Sequence, residues 1–132
     1  MAVESPQVNV GFLTAAVDLR TYQFCIVKMS GSFGVTFCGD GEQGIGILQN
    51  KPNTGEAAVV CTSGVSKCKT GASVTAGNII SSAAAGVASP STTATDWAIG
   101  IALESITLAA TPTDDELFTC LVTGPFHAGN AS

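Results

Sequence analysis

Few residues in this 132-residue chain have the type and spacing to do chemistry. The single histidine, His127, stands near the C-terminus. A Ser-His-Asp relay needs its imidazole braced by a buried acid, and imidazole metal sites usually take more than one ring. His127 therefore reads as an exposed tail residue. Asp114, Asp115 and Glu116 are consecutive. Neighbours on an extended chain point apart, and the spaced oxygen ligands of a calcium loop are missing, so these acids read as a solvated turn. Asp40 and Glu42 flank Gly41, but nothing nearby supplies the apolar pocket that would split the pKa values of a carboxylate pair. The glycines of GDGEQGIG lack both a GxxxxGK[ST] pattern and a following helix, so they form no phosphate cradle. Trp97, the only tryptophan, is either an interface anchor or the edge of the core.

The five cysteines are Cys25, Cys38, Cys61, Cys68 and Cys120. The number is odd and no pair is spaced CxxC, which argues against a zinc knuckle or a thioredoxin-type site. Most sit in strand-like runs (FCIV, TFCG, VVCT, FTCL), as buried free thiols acting as small hydrophobes. No catalytic residue, cofactor or metal is expected, and the chain reads as a non-enzyme.

The elements around these residues read as strands. Residues 22–29, YQFCIVKM, alternate, with Tyr22, Phe24 and Ile26 on one face. Ser30, Gly31 and Ser32 turn the chain, and Phe33, Val35 and Phe37 alternate after them, so a hairpin is expected here. Further strands are expected at residues 44–48, 57–62, 65–69, 97–104 and 116–123, with Ser63 and Gly64 splitting the middle pair. In 97–104, Ile99, Ile101 and Leu103 should face inward. Ile79 and Ile80 start another short strand, and Gly86 and Pro90 frame residues 83–85 as a hairpin followed by a loose loop rather than as a helical turn. No segment sustains a 3.6-residue period. The expected fold is all-β, a small antiparallel β-sandwich or β-barrel with an extended N-terminal arm. The expected organisation is an arm over 1–17, a β domain over 18–124 and an irregular tail over 125–132.

Apolar residues make up 45% of the chain and charged residues 11%, with a net charge of −5. So low a charge load suits a chain that covers surface against copies of itself or a partner. All five basic residues (Arg20, Lys28, Lys51, Lys67, Lys69) precede position 70. They are either a basic patch for an acidic partner or ordinary solvated charge. The acidic balance speaks against nucleic acid, and no apolar run is long enough to span a bilayer. The start, MAVESPQVNVGF, has neither the basic nor the apolar region of a secretory signal, so synthesis and retention in a cytosol are expected.

One phrase is nearly said twice. Residues 44–64 read GIGILQNKPNTGEAAVVCTSG, and residues 98–124 read AIGIALESITLAATPTDDELFTCLVTG. Each has a short Gly-Ile strand, a turn-rich acidic link and a second strand ending at glycine, which predicts pseudo-symmetric halves. Cys61 lies three residues before Gly64 and Cys120 four before Gly124, so the two cysteines are not equated: one residue reverses the face of a strand.

The order and spacing of a larger set of residues resemble the capsid cement, or decoration, proteins of tailed bacteriophages. The set is Gly46, Leu48, Gln49, Asn50, Pro52, Gly55, Glu56, Ala57, Val60, Gly64, Val65, Ser66, Lys67, Gly71, Gly77, Gly86, Gly100, Ala102, Leu103 and Glu104. The start at Asp18 is also compatible. The chain departs from the pattern in its cysteine content and in Asn78, where an acid is common. The resemblance implies a non-enzymatic protein, made in the bacterial cytoplasm, that binds the outer face of an icosahedral head. There it would bridge major capsid protein subunits, commonly as a homotrimer, without nucleic acid or membrane. The expected capsid contacts are Val8, Val10, Phe12 and Leu13 of the arm, or else these residues complete the domain's own core as an edge strand. The alternative function is a receptor- or carbohydrate-binding module of a phage tail or fibre, which would need an exposed aromatic platform.

Overall fold

The run AAVVCTSGVSKCKT forms the longest strand of the fold. Two strands split at Ser63 and Gly64 were expected, but Ala57–Thr70 is continuous. Gly64 passes through the bend at a φ of 113°, which a residue without Cβ adopts freely. The computed structural model describes residues 7–93, 95–108 and 116–127. Its strands are β1 (Gln7–Ala15), β2 (Ile26–Met29), β3 (Gly34–Phe37), β4 (Gly46–Leu48), β5 (Ala57–Thr70), β6 (Ile79–Ser82), β7 (Ala88–Pro90), β8 (Trp97–Ala102) and β9 (Glu116–His127). A 3₁₀ turn, Ala84–Gly86, joins β6 to β7, which pair as the expected hairpin, and no α-helix occurs among the described residues.

The fold is all-β, as expected. All nine strands join one sheet, and the pairing returns on itself twice. One circuit runs β1-β3-β2-β4-β5 and back to β1; the other runs β5-β7-β6-β8-β9 and back to β5. Each circuit has a thin parallel seam. β1 meets β3 only at Thr14↔Gly34 and Ala15↔Val35, and β5 meets β7 only at Thr70↔Ala88. The sheet is therefore mixed rather than wholly antiparallel, and barrel-like rather than a closed barrel. The Thr70 hydroxyl supports the second seam, 3.0 Å from the Ala88 carbonyl and 2.8 Å from that of Ala72.

Two apolar cores result. Leu13, Leu19, Val27, Val35, Leu48, Ala58 and Val60 form the first. Ile26, Ile47, Cys61, Cys68, Ile80, Ile99, Phe118, Cys120 and Val122 are in the second. β2, β4 and β5 lie between them. Consecutive residues point to opposite cores: Ile26 against Val27, Ile47 against Leu48, Cys61 against Val60. Ile26↔Ile47 and Ile47↔Cys61 are direct partners, so one rung of the sheet faces the second core.

The near-repeat in the sequence is structural. β4 pairs with β5 through Ile47↔Cys61 and Leu48↔Val60, and β8 pairs with β9 through Ile101↔Leu121 and Ala102↔Cys120. With Gly46 matched to Gly100, Val60 matches Cys120 and Cys61 matches Leu121. The two cysteines are thus one residue out of equivalence. Asn50 and Glu104 also correspond. Asn50 Oδ1 accepts the Val59 N–H at 3.0 Å, and Glu104 Oε1 accepts the Thr119 N–H at 2.8 Å and its hydroxyl at 2.7 Å.

Several local expectations are corrected. The hairpin at β2 and β3 is present, but Tyr22 and Phe24 precede β2 in a turn, and Phe24 has a φ of 67°. Their expected common face is broken: Tyr22 packs on the first core and Phe24 on the second. β8 ends at Ala102, a register shift follows Ala98, and Leu103 is exposed rather than inward. β9 continues to His127, so residues 125–127 are strand rather than irregular tail.

A Cβ on Gly46 would lie 2.2 Å from the Cys61 carbonyl oxygen, and one on Gly100 would lie 2.1 Å from that of Leu121. Gly46→Ala and Gly100→Ala should each cost about 1–3 kcal/mol in urea unfolding, because the obstacle is backbone. Gly11→Ala, with open space around it, should stay within about 0.5 kcal/mol. Equal effects at all three positions would refute the close-approach account. Hydrogen bonding from Thr119 holds the Glu104 carboxyl below its ordinary value of 4.5. That contribution is complete above the ordinary value and is lost as pH falls through the lower folded value. Glu104→Gln should therefore flatten the fall in stability on the acid side, read as urea midpoints between about pH 3 and 6.

Candidate functional site

β1 carries the residues expected to make contact outside the domain. Residues 7–15 are not a free arm. The strand pairs with β5 from Gln7↔Gly64 to Thr14↔Ala57, and the Gln7 amide donates to the Val65 carbonyl at 2.8 Å. β3 covers only Thr14 and Ala15, so over residues 7–13 the other edge of β1 pairs with no strand among the described residues.

Two register shifts, after Val8 and after Val10, set where its side chains point. Val10↔Val60 and Leu13↔Ala58 leave an extra residue on β1, and such a bulge reverses the alternation. Leu13 enters the first core, and Val10 packs against it half-buried. Val8 and Phe12 stay 60% and 68% exposed. The four expected residues thus divide into an outward pair, Val8 and Phe12, and an inward pair, Val10 and Leu13.

Phe12 has an aromatic neighbour that the sequence reading placed elsewhere. Phe33 was expected to alternate in a strand. It lies instead in the turn between β2 and β3, 62% exposed, with a φ of 59°. Its carbonyl accepts the Thr14 N–H at 2.8 Å, tying the turn to β1. The Phe12 and Phe33 rings meet edge to face, with centroids 5.8 Å apart and planes at 66°. A non-glycine residue with positive φ costs roughly 1–2 kcal/mol, so the turn holds Phe33 outward against local preference. The signal in the sequence was SGSFG, where serines and glycines on both sides mark a turn rather than a strand.

The basic residues also converge. Arg20, Lys51 and Lys69 line one open cavity of about 360 Å³, together with Thr21, Gln23, Phe24 and Leu117. The Lys67 ammonium lies 5.6 Å from the centre of the Phe24 ring. Lys28 is apart from this group, paired with Glu42 at 2.7 Å.

The residues weighed for chemistry are engaged structurally. Glu42 accepts from the Lys28 ammonium and, less strongly, from the Gly39 N–H, and these hold its carboxyl below the ordinary value. Asp40 is exposed beside it. His127 lies exposed on β9 with its ring 4.1 Å from that of Trp97, edge to face. Glu116 begins β9, while Asp114 and Asp115 lie outside the described residues. Among the described residues no three His, Cys, Asp or Glu side chains are grouped to hold a metal. All five cysteines are free and buried. Burial, with Cys120 and Cys25 nearby, raises the Cys68 thiol, and burial pushes Cys120 up to about 12.

No protein-family model matches the chain, and no curated protein matches it. Among solved structures it is similar to the head fibre gp8.5 N base in bacteriophage phi29, with a TM-score of 0.66. The superposition covers 92% of this chain and 99% of that chain at 12% sequence identity. At that identity the likeness is one of fold.

Because the thiolate is the reactive form, a thiol-disulfide reagent should label the native protein slowly and all five cysteines rapidly after unfolding. Fast labelling of the native protein would contradict the burial described above.

Proposed function

We propose that this protein is a non-enzymatic structural component of the outer surface of a tailed-phage head. The observation that carries this reading is the fold likeness to a phage head fibre base, over nearly the whole of both chains. Two features support it. The surface offers an exposed aromatic pair, Phe12 and Phe33. An acidic chain is better suited to the outside of a DNA-filled shell than to its interior.

In its finer form the proposal is a cement protein that bridges major capsid protein subunits, commonly as a homotrimer, as the resemblance over residues 44–104 implies. Many weak symmetric contacts would then act through avidity, and binding to the assembled shell would raise its stability by linkage. Phe12 and Phe33 are the proposed anchors, with Val8 exposed on the same strand as Phe12.

The test is co-sedimentation of the purified protein with decoration-free heads, followed by heating. We expect saturable binding in fixed ratio to the major capsid protein and a raised head melting temperature. Phe12→Ser with Phe33→Ser should weaken binding at least about tenfold while leaving the protein folded, since both rings are largely exposed. Deleting residues 2–13 is a poorer test, because it removes most of β1 and the buried Leu13. Absence of binding, with the protein located at the tail and glycan binding lost in Trp97→Ala, would favour the receptor- or carbohydrate-binding module instead.

A further inference from the structure

We propose that the Arg20–Lys51–Lys69 cavity is a docking site for an acidic segment of a protein partner, seating a carboxylate beside an apolar side chain. It rests on the head-surface reading for the partner's identity, but not for the chemistry of the site.

Three of the five cations of a chain with net charge −5 line this cavity. Two of them lack a carboxylate partner among the described residues. Lys51 is exposed and makes no ion pair there, and Lys69 Nζ reaches only the Thr21 carbonyl, at 3.3 Å. Arg20 is already held by Asp18, through Nε at 2.9 Å and Nη2 at 2.8 Å. The cavity therefore presents two uncompensated ammonium groups and one guanidinium oriented by its own acid. Two ammonium groups on one cavity with no carboxylate of their own favour an incoming anion.

The remaining wall is part polar, at Thr21 and Gln23, and part apolar, at Phe24 and Leu117. Phe24 and Leu117 are both half-buried. Phe24 is clamped in its left-handed conformation from two sides: its N–H donates to Leu48 and its carbonyl accepts from the Lys69 N–H, at 2.7 and 2.8 Å. A fixed ring beside cations suits a ligand with a hydrocarbon part next to its charge. A bare inorganic anion would leave that wall unused. A nucleic acid would need many phosphate contacts to gain affinity, and the acidic remainder of the chain repels it.

The probe is a fluorescein-labelled peptide of alternating Glu and Leu, followed by anisotropy against the full chain. We expect saturable binding that weakens with added salt and is absent for the same peptide with Gln in place of Glu. Lys51→Gln with Lys69→Gln should weaken it at least about tenfold, and Lys51→Gln alone should weaken it measurably. Lys51 makes no hydrogen bond within the described chain, so the single variant tests the site without disturbing the fold. Unchanged binding by both variants overturns the proposal. So does failure of the peptide to bind, or its displacement by duplex DNA or inorganic phosphate at lower concentration than by unlabelled peptide. The variants are then sedimented with decoration-free heads. Loss of head binding identifies the head as the partner. If the wild-type chain binds the peptide but not heads, the head-surface reading fails and the site stands.

Discussion

Strands β2, β4 and β5 separate two apolar cores, and the other elements are arranged around that partition. Ile26, Ile47 and Cys61 pack into one core while their neighbours Val27, Leu48 and Val60 pack into the other. β4, buried at all three residues, has no solvent face for polar residues, and its sequence, GIL, is apolar without alternation. The strands must also lie very close. Gly46 sits so near the Cys61 carbonyl that a methyl group has no room, and Gly100 repeats the arrangement against Leu121. β1 and β3 then enclose the first core, and β6 to β9 enclose the second.

The two halves solve the same local problem with different side chains. Asn50 in one and Glu104 in the other each accept a backbone N–H from the partner strand near the end of a Gly-Ile strand. An amide can also donate, and Asn50 Nδ2 reaches the Ala57 carbonyl. A carboxylate only accepts, and Glu104 takes the Thr119 hydroxyl as well. Ala58 and Phe118 occupy matching buried positions four residues after Thr54 and Asp114. The first core is thereby closed by β1 and aliphatic residues, and the second by a buried aromatic ring and several cysteines.

Much of the polar chemistry in the chain is engaged in holding it together. Asp18 orders Arg20, Glu42 ties Lys28 to the Gly39 turn, and Asn50 and Glu104 pin strand pairs. Two other features lie at the surface: the Phe12–Phe33 pair and the cationic cavity beside Phe24. Both depend on aromatic residues held at positive φ, Phe33 in one case and Phe24 in the other. Backbone strain of this kind persists only where surrounding contacts outweigh it, and here it fixes the position of each ring.

The all-β class, the β2–β3 hairpin and the two related Gly-Ile units were legible in the sequence, because alternation and turn residues act within a few positions of one another. So was the separation of Cys61 from Cys120, since a one-residue difference in spacing to glycine changes the face. The bulge in β1 after Val10, which sends Phe12 outward and Leu13 inward, was not legible, because it arises from matching β1 to β5 some fifty residues away. The union of residues 57–70 into one strand was hidden by a glycine that reads locally as a turn. Phe33 read as a strand residue because it alternates with Val35 and Phe37, a pattern that outweighed the turn signal of SGSFG; its φ of 59° places it in the turn. Arg20, Lys51 and Lys69 are scattered in sequence. Only the tertiary structure brings them around one cavity, because β5 and the segments before β2 and after β4 are adjacent in space and not in the chain.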